Sequence, residues 1–192
     1  MRALLQRLRH STAGVAVVEF AMVAPVLLLL VIGALEIGYK VYAISTANGA
    51  LREAARMAST GKYTGTQIDD KVKGMIRAWR TDAGISIIKK SYSDFTGVGL
   101  PEPITSGTVA SGSYCYEDTN GNSKWDEDRG AEGLGDAEDV IYYEVTVKYP
   151  TLFAFSQKTM GFSGEGQVKL NTIVSNEPYA PVTNAPPANR CV

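Results

Sequence analysis

Histidine is almost missing from this chain, with one residue, His10, in 192. Without it a Ser-His or Cys-His nucleophile cannot be assembled in the body of the protein, and no His-based zinc site is available. Cysteine is scarce too. Cys115 and Cys191 stand far apart and form no CxxC pair. No glycine-rich phosphate loop is visible, so catalysis is not expected. Net charge is −1, which gives no ground for nucleic acid as a partner. Acids are absent from residues 1–14, where Arg2, Arg7 and Arg9 accompany His10. All charge is absent from the sixteen residues Phe20 to Leu35, which are apolar, Gly or Pro.

That uncharged run is bounded by Glu19 and Glu36. At about 1.5 Å per residue, Val15 to Tyr39 is long enough for a helix to cross a bilayer's hydrocarbon. The arginine-bearing side stays cytoplasmic by the positive-inside rule, so the chain beyond about residue 40 faces outward. A cleaved secretory signal calls for a shorter apolar core followed by a small-x-small site, and Gly38-Tyr-Lys-Val-Tyr42 offers none. A plain anchor accounts for the length but leaves Glu19 as a costly acid in a membrane segment.

A third reading accounts for Glu19. The basic leader ending in Gly14, followed at once by an apolar run, resembles a type IV prepilin leader. In such proteins the cut follows the Gly and the mature chain has Glu at its fifth position. Cutting between Gly14 and Val15 makes Glu19 the fifth residue and Phe20 the sixth. It also creates an ammonium on Val15 at the edge of an apolar helix. A carboxylate of a neighbouring subunit neutralises that ammonium when helices bundle. A buried charge is tolerated when it is paired, and the pair fixes axial register.

Past the membrane the same helix is expected to continue to about Ser59. Ile44, Ala47, Leu51, Ala54 or Ala55, and Ala58 recur at steps of three and four, an amphipathic stripe. Gly61 is the expected stop, and Pro25 a possible kink. Val17-Val-Glu-Phe-Ala21, Pro25 with its Leu run, Leu35-Glu-Ile-Gly-Tyr39 and Ala50-Leu-Arg-Glu-Ala-Ala-Arg56 together resemble the TadE family. These are pseudopilins, or minor pilins, of the tight-adherence (Tad/Flp) pilus. The family's usual Glu-Gly-Ala-Arg stands here as Glu53-Ala-Ala-Arg56. The stretch Asn176-Glu-Pro-Tyr179 resembles the close of the last strand in the same family. The resemblance implies a minor subunit rather than a short major pilin. Its implied partners are prepilin peptidase, other Tad pilins and pseudopilins, the inner-membrane assembly platform and membrane lipid.

The expected organisation is a leader (1–14), a transmembrane and assembly helix (15–60), an extracytoplasmic globular domain (61–177) and a proline-rich tail (178–192), irregular and tied down only if Cys191 is bridged. Within the domain, Gln67 to Arg80 reads as a helix capped by Thr66, with Ile68, Val72, Met75, Ile76 and Trp79 on one face. Ile85–Tyr92 reads as a strand, and residues 93–112 as a loop or weak strand pair. Val140–Tyr149 is the clearest strand, placing Ile141, Tyr143, Val145, Val147 and Tyr149 on one face, with Pro150 ending it. Thr151 to Phe162 is apolar, a short helix or a turn. Gln167–Ser175 is a last strand. The fold class is α+β, a long pilin-like helix on a small antiparallel sheet. An exported domain with two separated cysteines is expected to join Cys115 to Cys191.

Between Asp118 and Asp128 lies a candidate ion loop. Asp118, Asn120 and Asn122 occupy positions one, three and five of an EF-hand-type loop, Lys124 offers its carbonyl at seven, and Asp126 stands at nine. Ser123 replaces the usual Gly at six and Arg129 the usual Glu at twelve, so Asp128 is the substitute for closing the shell. A solvated Asx-rich turn is the alternative. The expectation is a structural calcium clip. For the whole chain it is a Tad minor pilin at the inner membrane and then the pilus. The alternative is an unprocessed, membrane-anchored extracytoplasmic binding module.

Overall fold

The computed structural model describes residues 13–153, 164–177 and 187–192. The leader up to residue 12, most of the apolar stretch after Thr151, and the tail between 178 and 186 lie outside the described residues. The chain divides into two units. One comprises Met1–Tyr42 with Thr151–Gly164, the other Ala43–Pro150 with Glu165–Val192.

Helix α1, Ala13–Ser59, runs unbroken through Pro25. An 18-residue window within Gly14–Ser59 reaches a mean hydropathy of 2.8 and is entirely unburied, so the helix is long and apolar enough to cross a membrane. Beyond Tyr42 its character changes. Ala43, Ala47, Ala50, Leu51, Ala54, Met57 and Ala58 are buried in the second unit, spaced at three and four residues as one helix face requires. Ala54, not Ala55, continues the stripe. Gly61 adopts φ 61° and donates to the Ala58 carbonyl at 3.2 Å, the left-handed close that glycine allows without strain.

Helix α2, Gly65–Trp79, starts two residues before the expected Gln67. Thr64, not Thr66, is the N-cap. Its side chain accepts from Gln67 N–H while Gln67 Oε1 accepts from Thr64 N–H. The reciprocal box decides the start, because only Thr64 has a Gln three residues later. Ile68, Val72 and Ile76 form its buried face.

Four antiparallel strands form the main sheet in the order β4-β1-β5-β6: β1 is Gly84–Tyr92, β4 Ala131–Glu132, β5 Val140–Pro150 and β6 Glu165–Ser175. Strand β5 is central and pairs along its length with both neighbours. Ile141, Tyr143, Val145, Val147 and Tyr149 are buried, as the alternation predicts. Pro150 is the last strand residue, opposite Glu165. On the other face Glu144 is buried as well, held by the Tyr142 hydroxyl at 2.7 Å and Lys169 at 3.0 Å. Between α2 and the sheet, Asp69 accepts from Lys89 at 2.7 Å and from the Tyr143 hydroxyl at 3.0 Å. Burial and the neighbouring Asp69 carboxylate push that phenol's pKa up.

A second sheet has the order β2-β3-β7: β2 is Ile104–Thr108, β3 Ser113–Asp118 and β7 Ala188–Cys191. The bridge at Cys191 ties the end of the tail down, and strand β7 corrects the expectation that this end is irregular. Its four residues carry no hydrophobic alternation to betray a strand, and it is aligned by covalent and ionic ties described below.

Candidate functional site

At the N-terminal end, Gly14, Val15, Glu19 and Phe20 all lie on α1 and are exposed. Val15 and Glu19 are four residues apart, so they share a face about 6 Å apart along the axis. Among the described residues no hydrogen bond or ion pair reaches Glu19. Farther along, Glu36 accepts a hydrogen bond from the Phe153 backbone N–H at 2.9 Å. Glu36 is therefore engaged by the chain itself rather than turned only to water.

At the C-terminal end of α1 a latch forms. The Glu177 N–H donates to the Ser59 carbonyl at 2.8 Å. Beside it Asn176, 5% exposed, donates its amide to the Leu134 and Asp136 carbonyls at 3.0 and 2.7 Å, and its backbone N–H to the Asp139 carbonyl at 2.8 Å. Asn176 thus satisfies carbonyls of a turn and, through its neighbour, an unpaired carbonyl of the helix end.

Strand β7 is held against β3 by a disulfide. Cys115 and Cys191 face each other across the strands with Cα atoms 4.0 Å apart and are bonded. Tyr114 and Val192, next to them, exchange both backbone hydrogen bonds. The cysteines therefore occupy the non-hydrogen-bonded position, where facing side chains come closest. Arg190 adds an ion pair to the Asp118 Oδ2.

The candidate loop starts at Asp118 and is organised by its own side chains. Asp118 Oδ2 accepts from Ser123 N–H at 3.0 Å, Asn120 Oδ1 from Asn122 N–H at 3.1 Å, and Asn122 Oδ1 from Lys124 N–H at 2.8 Å. Ser123 adopts φ 65°, so it takes up the left-handed turn that glycine usually supplies at position six. Asp126 Oδ2 accepts from the amides of Asn120 at 2.9 Å and Asn122 at 2.6 Å. Those two bonds hold its carboxyl below the ordinary 3.8.

Asp128 does not join this set. Its carboxylate accepts from Lys90 at 2.6 Å, the Tyr92 hydroxyl at 2.8 Å and Gly130 N–H at 3.2 Å. Burial raises its pKa, but the bonds from Lys90 and Tyr92 outweigh that and lower it overall. Asp128 was expected to close the ion shell; its commitment to β1 removes it. Lys124 has its side chain exposed and enters only through its backbone.

Two residues that sequence reasoning passed over complete the arrangement. Glu102, 1% exposed, accepts from Thr119 N–H at 2.8 Å, Thr119 Oγ1 at 3.2 Å and Asp126 N–H at 3.2 Å. Its carbonyl takes the Trp125 indole at 3.0 Å, and its N–H donates to the Asp126 carbonyl at 3.0 Å. Arg190 is the other. Neither has a local motif; Glu102 lies between two prolines, and both reach the loop only through the fold. Among the described residues no three Asp, Glu, His or Cys side chains converge as a metal cluster. A cation here would lean on amide and carbonyl oxygens beside Asp118 and Asp126, a hard-oxygen set suited to calcium and unsuited to softer metals.

No curated protein and no solved structure matches the chain. One family model does match, described as TadE-like protein, and it covers residues 14–56. It starts at Gly14 and ends at Arg56, within the span of α1. The match agrees with the resemblance drawn from Val17-Val-Glu-Phe-Ala21 through Arg56: the N-terminal helix is TadE-like, which is consistent with a TadE-like protein associated with Tad pilus systems.

Proposed function

We propose that the protein is a minor subunit of a Tad/Flp pilus, inserted in the inner membrane, cut by prepilin peptidase between Gly14 and Val15, and then drawn into the filament, its tip or its initiating complex through α1. The observation that carries this reading is the TadE-like match starting at Gly14, on a helix whose apolar part is unburied. A helix with that surface needs lipid first and other helices afterwards. Partners on this reading are the peptidase, other Tad pilins and the assembly platform. The Cys115–Cys191 bridge supports an extracytoplasmic position for the globular unit, because such bonds persist in oxidising compartments. On this reading the role is structural rather than enzymatic.

Subunit identification in pili sheared from cells and purified tests this. The chain is expected in the pilus fraction at low abundance beside a major pilin. Confinement to the inner membrane, with residues 1–14 retained, would favour an unprocessed anchored module instead.

A further inference from the structure

The loop carries negative charge that the fold does not neutralise. Asp118 is fully buried at its side chain, and its Oδ1 has no hydrogen-bond partner. Its Oδ2 holds Arg190 and the Ser123 N–H from across the loop, so the carboxylate is fixed within the turn with one oxygen unspent. Buried acceptors are rarely left unsatisfied. Glu102 is buried under the same loop, and among the described residues it has hydrogen-bond donors but no ion pair. A buried carboxylate without a cation is strongly disfavoured. The charged groups facing the loop are thus Asp118, Glu102 and Asp126 against the exposed Lys124, Arg190, which is paired with Asp118, and Lys90, which is already paired with Asp128.

We propose that residues Asp118 to Asp126 form a calcium site in which Asp118 Oδ1 is the first ligand, Asn120, Asn122, the Lys124 carbonyl and Asp126 supply the other protein oxygens, and Arg190 keeps the opposite oxygen of Asp118. One carboxylate then joins the cation to β7, so loading the loop also fastens the disulfide-bearing end of the chain. Affinity belongs in the range of extracellular calcium modules, on the order of 10⁻⁴–10⁻³ M. This inference is independent of the pilus assignment.

The test uses the full chain in detergent, freed of divalent ions. Terbium is titrated with excitation of tryptophan, since Trp125 lies within the loop, and calcium is then added in competition. The expected result is a saturable terbium signal that millimolar calcium displaces and that Trp125→Phe abolishes while Trp79→Phe does not. Asp126→Asn and Asn122→Ala, at residues outside the core, are expected to weaken calcium about tenfold, and Lys124→Ala to leave it within about twofold, because position seven ligates through its carbonyl. Arg190→Gln is expected to tighten calcium a few-fold by removing a like charge, the disulfide still holding the strand. The proposal is overturned by absence of a calcium-displaceable signal up to about 10 mM, by Asp126→Asn and Asn122→Ala binding as the parent does, or by loss of binding in Arg190→Gln.

Discussion

The two parts of α1 are made of similar residues and meet opposite surroundings. From Val15 to Tyr42 most of the large side chains are exposed, among them Phe20 68%, Leu30 68% and Ile37 68%, with Ile32 and Tyr39 half-buried. From Ala43 to Ala58 the apolar face is small, Ala-rich and shut away, with Ala50 and Ala54 at 0%. Size explains the difference in kind. Alanines let another layer approach the helix backbone closely, whereas the Leu and Val run presents surface that only lipid or another apolar helix covers. One half of the helix is buried by its own chain, and the other is largely exposed among the described residues.

Changes in the exposed half should therefore act on assembly and changes in the buried half on folding. The largest expected effect is Glu19→Ala, which should remove the chain from sheared pili while membrane-fraction immunoblots show normal insertion; unchanged incorporation would break the comparison at its root. Next is Cys191→Ser. Losing a bridge that closes a separation of 76 residues should destabilise the globular unit by about 2–5 kcal/mol, read by thermal melting of the full chain in detergent. Ala54→Leu should follow, costing about 1–3 kcal/mol by overpacking a fully buried position. Leu28→Ala, in the exposed half, should leave that melting curve unmoved, and an equal loss from both would erase the distinction.

The smallest effect is on acid. Asp94 is lowered by the Thr96 hydroxyl and the Gly97 N–H, Asp126 by Asn120 and Asn122, and Asp128 by Lys90 and Tyr92 despite burial. A depressed carboxylate stabilises the fold above its unfolded value and loses that contribution as pH falls through the folded one. Melting temperature should thus hold steady from neutral pH to about 5 and decline below the ordinary 3.8. A decline beginning near neutrality would contradict these partners.

Much of this was legible in the residues because periodicity is a local signal. The stripe from Ala47 to Ala58 and the alternation from Ile141 to Tyr149 each announced a buried face. The start of α2 was misplaced by two residues, because two threonines compete and only the reciprocal bond from Gln67 separates them. Strand β7 was missed because Ala188–Cys191 has no alternation; its place comes from Cys115, 76 residues away. The loop's Asx pattern was readable, but Asp128 was assigned to it by spacing, and Lys90 and Tyr92 on β1 claim that residue instead. Glu102 and Arg190 were invisible for the same reason: they are neighbours of the loop in space alone.

The account rests on an acid at Glu19 that meets an ammonium made by proteolysis. The most direct measurement is the N-terminal residue of the protein isolated from cells with an active prepilin peptidase, by intact-mass and N-terminal peptide mass spectrometry. A mature chain starting at Val15 is predicted. A chain that still carries Arg2, Arg7 and Arg9 would contradict it.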